Sequence, residues 1–333
     1  MRRCLFLLLG VALACSSGDD TTAPDPCAAN TATGYAAYTT NGLSTWSVAP
    51  LATDACITVR LDSHFVYVDP AATAKGRLYL FLPGTGAIPQ YYRRVIQEAA
   101  RAGYHAVGLS YPNADAVGVL CAGQGADCHG PAREEILTGA DASGVVAVTR
   151  SNSIENRLLR LVAYMQAIDP GRNWSQFTVN GAIDWSRVSV AGHSQGGGHA
   201  LYVARRHAVL RASAFASGGD LVGSEPATWV TQPFATPASR IYGFISVNDE
   251  LVSPAGAVNA WTVIGLAAFG PASSVDGVAA PWAGSHMLQT SAAPVRPEVA
   301  IGPNHNVVVV DVNTPIDAGV PVFAGVWREM GMP

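Results

Sequence analysis

Charge is scarce in this chain. Only 13% of its 333 residues are Asp, Glu, Lys or Arg. They form no basic run and no basic stripe interleaved with aromatics, so nucleic acid is not an expected partner. Internal repeats are missing, which excludes solenoids and propellers, and no linker divides the body. CxxC pairs and clustered Cys/His spacings are absent, so no metal site is expected. No nucleotide or flavin motif is visible either, so no cofactor is expected. Beyond the extreme N-terminus, no apolar stretch is long enough to span a bilayer. What abounds is apolar: 49% of residues are hydrophobic and the mean hydropathy is +0.21. That supplies a large core and excludes a disordered chain.

The opening stretch "MRRCLFLLLGVALAC" has Arg2 and Arg3 ahead of an apolar run too short to cross a bilayer, then small residues. The polar "SSGDDTTAPDP" that follows cannot continue a packed element. Residues 1–14 therefore read as a signal peptide and residues 15–26 as a flexible tether. Leu13-Ala14-Cys15 resembles a bacterial lipobox, with Ala12 where leucine is usual. The resemblance implies lipidation of Cys15 and a surface or outer-membrane lipoprotein that meets the membrane only through that lipid. A plainly cleaved signal, giving a periplasmic or secreted protein, is the alternative. Loss of Arg2 and Arg3 would leave 18 bases against 24 acids, moving the net charge from −4 to −6.

With Cys4 and Cys15 set aside, four cysteines remain: Cys27, Cys56, Cys121 and Cys128. An even remainder in an exported chain reads as two disulfides. Three pairings are possible. Cys121–Cys128, closing the Gly-rich loop "CAGQGADC", and Cys27–Cys56, pinning the N-terminal segment to the body, are the favoured ones.

Along the body, "ACITVRLDSHFVYVDP" reads as a hairpin around Asp62-Ser63. Leu78 to Leu82 is a continuous apolar run suited to a strand covered on both faces. "QYYRRVIQEAARAG" has helical spacing and stops at Gly103; "YHAVGLSYP" reads as the next strand. Residues 113–150 break the pattern with a Gly/Ala/Asp-rich excursion. "SIENRLLRLVAYMQAID" is an amphipathic helix, "WSRVSVAG" a strand running into the helix "HSQGGGHALYVARR", and "ASAFASGG" and "SRIYGFISVND" two further strands. Strands alternating with helices argue an α/β fold with a mostly parallel central sheet flanked by helices and opened by N-terminal hairpin strands. Residues 27–333 are expected to form one domain, with 113–150 as a lid or pocket wall.

Gly192-His193-Ser194-Gln195-Gly196 fits G-x-S-x-G. Such a motif acts when it joins a strand to a helix, because the sharp turn lifts the serine hydroxyl above the sheet edge. "RVSVA" before it and "HALYVARR" after it supply both sides. On these residues the chain resembles the α/β-hydrolases, and "GHSQGG" is similar to the nucleophile elbow of their esterases and lipases. The resemblance covers roughly residues 57–333 and implies a Ser, acid, His order along the chain. Asp249, after the strand "RIYGFISV", takes the acid position, with Asp220 in "SGGD" as runner-up and Glu250 read as solvated. His305 in "GPNHNVVVVD" takes the base position, with His286 in "GSHMLQT" as competitor. His193 reads as structural, and Val307 to Val310 as a strand.

The same resemblance implies an oxyanion hole built from backbone N–H groups. Gln195 supplies the first, and the turn "LPGTG" the second, with Thr85 favoured over Gly84 and Gly86. The expected activity is that of a serine hydrolase, foremost a carboxylic ester hydrolase acting on a small-molecule or polymeric ester through an acyl-enzyme. A peptidase or lipase of the same fold is an alternative. A non-catalytic surface binding protein on a hydrolase fold is another. Acyl and alcohol specificity and oligomeric state carry no signal in the sequence.

Overall fold

Continuous apolar runs form the middle of one sheet. The computed structural model describes residues 27–298 and 301–333. The expected signal peptide, the tether and Cys15 lie outside the described residues. In chain order the strands are β1 (Tyr35–Thr40), β2 (Leu43–Val48), β3 (His64–Val68), β4 (Leu78–Leu82) and β5 (His105–Gly108). They continue with β6 (Val188–His193), β7 (Arg211–Phe215), β8 (Ile241–Ser246), β9 (Ser273–Ser274) and β10 (Met287–Thr290). Together they make a ten-stranded sheet in the spatial order β1-β2-β3-β5-β4-β6-β7-β8-β10-β9. The first three pairings are antiparallel. From β5 to β9 every pairing is parallel. This antiparallel entry, the exchange of β4 and β5, and the parallel remainder make an α/β-hydrolase fold.

The helices are α1 (Pro50–Thr53), α2 (Arg93–Arg101), α3 (Val117–Leu120), α4 (His129–Thr138) and α5 (Ile154–Ile168). After them come α6 (Gln195–Arg206), α7 (Pro254–Ile264), α8 (Pro303–Asn306) and α9 (Ala324–Gly331). β4 shows how they are shared between the faces. Leu78, Leu80 and Leu82 pack with Leu158 and Leu161 of α5 and Leu201 of α6. Tyr79 and Phe81 point the other way, to Val95 and Ile96 of α2 and Trp327 of α9. With a period of two and apolar cover on both sides, the strand must be apolar throughout. Each such side chain, fully buried, contributes about 1.5–3 kcal/mol.

Two sequence expectations are corrected. The N-terminal hairpin exists, but β1 and β2 make it across Asn41-Gly42, both at positive φ (50° and 81°), as a tight two-residue turn requires. In the stretch read as a hairpin only β3 is a strand. Residues 57–62 stay irregular because the buried Arg157 guanidinium takes the carbonyls of Val59 and Arg60. Val307 to Val310 is likewise no strand. It continues α8 as tight turns, with Val309 and Val310 N–H both donating to Asn306 O. All four valines are buried, and a run apolar on every side carries no period to tell turn from strand.

Both expected disulfides are formed, Cys27–Cys56 and Cys121–Cys128, with Cα–Cα distances of 5.0 and 5.6 Å. They point to an oxidising compartment, extracellular or periplasmic. Among the described residues no helix is long and apolar enough to cross a membrane.

Candidate active site

β6 ends at His193, and α6 begins at Gln195. Ser194 alone makes the turn between them, at φ 55° and ψ −120°, a conformation that costs about 1–3 kcal/mol and persists only where its surroundings impose it. The surroundings are tight. A Cβ on Gly192 would stand 2.2 Å from Gly196 O, and one on Gly196 would stand 2.0 Å from Leu82 O. Ser194 N–H donates to Phe215 O at 2.8 Å, and Ser194 O accepts from Gly198 N–H at 3.1 Å. The Ser194 hydroxyl makes no hydrogen bond among the described residues.

Asp249 follows β8 by three positions. Its carboxylate is fully enclosed, as is nearly all of the His305 side chain (0% and 3% exposed). A buried carboxylate needs partners, and this one has three. Leu251 and Val252 N–H each donate to Oδ1 at 2.9 Å. His305 Nδ1 lies 2.8 Å from Oδ2 and 3.0 Å from Oδ1. Nδ1 therefore carries a proton, and in the neutral ring Nε2 is left as a lone pair.

The peptide of His305 is held as well. Its N–H donates to Glu250 Oε2 at 3.0 Å, beside Asn304 N–H at 3.1 Å and Asn304 Nδ2 at 2.7 Å on Oε1. Its carbonyl is 3.1 Å from His193 Nε2. His193 Nδ1 in turn lies 3.0 Å from Tyr92 Oη, which accepts from Gly84 N–H at 3.1 Å. The chain has one consistent polarity: Gly84 N–H to Tyr92, Tyr92 O–H to His193 Nδ1, His193 Nε2–H to His305 O. It requires a neutral His193, and burial, followed by the neighbouring His305, holds that imidazole well below its ordinary pKa. His193 is thus a structural histidine wedged under the segment that carries His305.

In the turn after β4, four carbonyls are engaged by side chains. Pro83 O accepts from Tyr111 Oη (2.7 Å), Gly84 O and Ala87 O from Asn113 Nδ2 (2.6 and 2.9 Å), and Gly86 O from Arg60. Of the three N–H groups in Gly84-Thr85-Gly86, the first donates to Tyr92 and the third to Asn113 O at 2.7 Å. The Thr85 N–H has no partner among the described residues, nor has the Gln195 N–H. The Thr85 hydroxyl meets Gln195 Oε1 at 3.2 Å, which joins this turn to the head of α6.

The excursion 113–150 packs onto the same place. Gln195 Oε1 also accepts from Val117 N–H of α3 (2.9 Å), and Gln195 O accepts from Arg133 Nη1 of α4 (2.8 Å). A Cβ on Gly198 would stand 2.3 Å from Arg133 Nη2, so the glycine run after Ser194 leaves room for this guanidinium.

Asp220 is committed elsewhere. It pairs bidentately with Arg133, both contacts 2.7 Å, and accepts from Trp229 Nε1 at 2.7 Å. Burial pushes its pKa up, but the Arg133 cation and hydrogen bonds outweigh that and hold it below the usual carboxylate range. Among the described residues it meets no imidazole nitrogen as a hydrogen-bond partner. His286 stands just before β10, at the amino end of a parallel strand. It is stacked between Tyr242 and Phe269 (centroids 3.8 and 4.1 Å), with Nδ1 3.0 Å from Ile241 O. Neither runner-up joins Asp249 and His305.

Sequence reasoning passed over Tyr92, Asn113 and Arg133. Glu250 is exposed, as expected, and its carboxylate also accepts from Asn304 and His305. Asn113 and Arg133 carried one available signal, an asparagine and an arginine within a Gly/Ala-rich excursion. Among the described residues, the one Cys/His/Asp/Glu cluster tight enough for a metal is Cys27, Asp54 and Cys56. Its two sulfurs are spent in a disulfide.

No protein-family model matches the chain, and no curated protein matches it. Among solved structures it is similar to a cold-adapted esterase from an Arctic intertidal metagenomic library. Identity is 13%, over 68% of this chain and 82% of that one, with a TM-score of 0.38.

Proposed function

We propose that the chain is a serine hydrolase whose reaction is the cleavage of carboxylic esters through an acyl-enzyme. The observation that carries this reading is the buried Asp249–His305 pair, which leaves Nε2 as a base, on the fold that presents a strained Ser194 between strand and helix.

In the proposed reaction Ser194 Oγ attacks the ester carbonyl while its proton passes to His305 Nε2. Asp249 stays ionised and stabilises the imidazolium. The Gln195 and Thr85 N–H groups receive the negative oxygen. The imidazolium then returns the proton to the departing alkoxide. Water, deprotonated by the same nitrogen, releases the acid and restores Ser194. The contact between Ser194 Oγ and Nε2 belongs to the proposal; such contacts are commonly loose without substrate and tighten on binding.

The substrate class is a small-molecule or polymeric ester. Residues 113–150 act as a wall of the pocket, reaching Gln195 from two sides. The chain is exported by its first 14 residues and attached to a membrane through lipid on Cys15. Turnover of short p-nitrophenyl esters tests the activity. Purified mature protein should hydrolyse them, and Ser194→Ala should lower kcat by about 10³-fold or more. Equal turnover by the two proteins would remove the proposal.

A further inference from the structure

Asp249 and Glu250 are adjacent, yet they hold different parts of one residue. Asp249 takes the His305 side chain, and Glu250 takes its backbone. The backbone contact follows from how α8 is built. Gly302 precedes it at φ 55°, with no room for a Cβ, which would lie 2.8 Å from the His305 Cβ and 2.9 Å from Leu251 Cδ1. Pro303 then opens the helix without an N–H to satisfy. The next two N–H groups, Asn304 and His305, have no acceptor within so short a helix, and Ser, Thr, Asp or Asn is missing from the position that would cap them. Glu250 supplies both acceptors from 54 and 55 residues away, and takes Asn304 Nδ2 as well. The following N–H, that of Asn306, makes the first bond of the helix itself, to Gly302 O at 2.9 Å. The carbonyl of His305 is fixed from the other side by His193.

We infer that Glu250 is a positioning residue: its carboxylate clamps the His305 peptide so that the imidazole stands at one distance from Ser194, while Asp249 sets only the ring's tautomer and tilt. The inference rests on the serine-hydrolase reading and adds a residue to that site. Its physical basis is that reacting groups must be held to a fraction of an ångström, and a shift of about 1 Å can cost about 100-fold in rate. The imidazole hangs on a four-residue helix that cannot hold its own shape in water. An ionised acceptor of three hydrogen bonds supplies the missing rigidity.

The test compares wild type with Glu250→Ala and Glu250→Gln. Glu298→Ala serves as control, since Glu298 is exposed and bonded to Arg296. Glu250→Gln keeps the shape but turns an N–H₂ toward one of the two backbone donors. In both Glu250 variants kcat should fall about 10- to 100-fold with KM nearly unchanged. The rate of fluorophosphonate inactivation should fall by the same factor, and the melting temperature should hold within a few degrees. The control should match wild type. Wild-type kcat in both Glu250 variants would overturn the inference and leave the hydrolase reading intact. So would a fall in melting temperature with kcat unaltered in the folded fraction. A wild-type protein that neither turns over esters nor takes the probe would remove the hydrolase reading, and the inference with it.

Discussion

His64, His193 and His199 are buried to 0–3% exposure, and each is held neutral well below its ordinary pKa. Burial is the largest cause in all three. It is joined by the Arg157 cation at His64, by His305 at His193 and by the Arg133 cation at His199. The unfolded chain takes these protons near pH 6.5, whereas the native chain does not. The sign is therefore that of depressed folded-state values: the stabilisation is full above about pH 6.5 and is lost as the pH falls. Each residue contributes a slope of at most about 1.4 kcal/mol per pH unit. The melting temperature should drop steeply between pH 6.5 and 5, and less steeply in His199→Phe, whose two ring nitrogens have no partner to lose. A melting temperature flat from pH 7 to 5 would contradict this.

At the same scale, a short motif and order along the chain single out Ser194, Asp249 and His305, of which the structure pairs Asp249 with His305 and sets Ser194 at the strand–helix turn. Glu250 and Asn113 were not legible. An acid beside an acid reads as solvent-facing, and a lone asparagine reads as a turn. What each does depends on a backbone group brought to it by folding.

Among elements, α6 and β6 could be read because glycine spacing and apolar runs agree there. The excursion could not, since its organisation depends on Cys121–Cys128, seven positions apart, and on the buried Arg133–Asp220 pair. The β1–β2 hairpin was legible in principle from Asn41-Gly42, the dipeptide that suits a two-residue turn. It was hidden by β1, whose residues are nearly all exposed and give no apolar alternation. The disulfide loop lies between Val117 and Arg133, the two contacts that reach Gln195. Closing a loop of this length stabilises the fold by about 2 kcal/mol. Replacing both cysteines by serine should lower the melting temperature by several degrees and, if residues 113–150 wall the pocket, alter relative turnover across acyl chain lengths. Identical turnover across the panel would show the segment to be an ordinary surface loop.

For the whole molecule, the sheet sets Ser194 and Asp249 at one edge, and α8 brings His305 to Asp249. Ser194 follows β6 and Asp249 follows β8, both at the carboxyl ends of parallel strands, where open α/β sheets place their chemistry. β7 alone separates them. His305 returns on α8, outside the sheet, and reaches Asp249 through side chain and Glu250 through backbone. The strand order was within reach of the sequence only as a class, because apolar strands of equal length exchange places at no cost visible in their residues. The most direct test of the account is intact-protein mass spectrometry after treatment with a fluorophosphonate, followed by peptide mapping. One adduct per chain is expected, on Ser194, absent from Ser194→Ala and formed far more slowly in His305→Ala. A folded protein that takes no adduct, or takes it on another residue, would contradict the account.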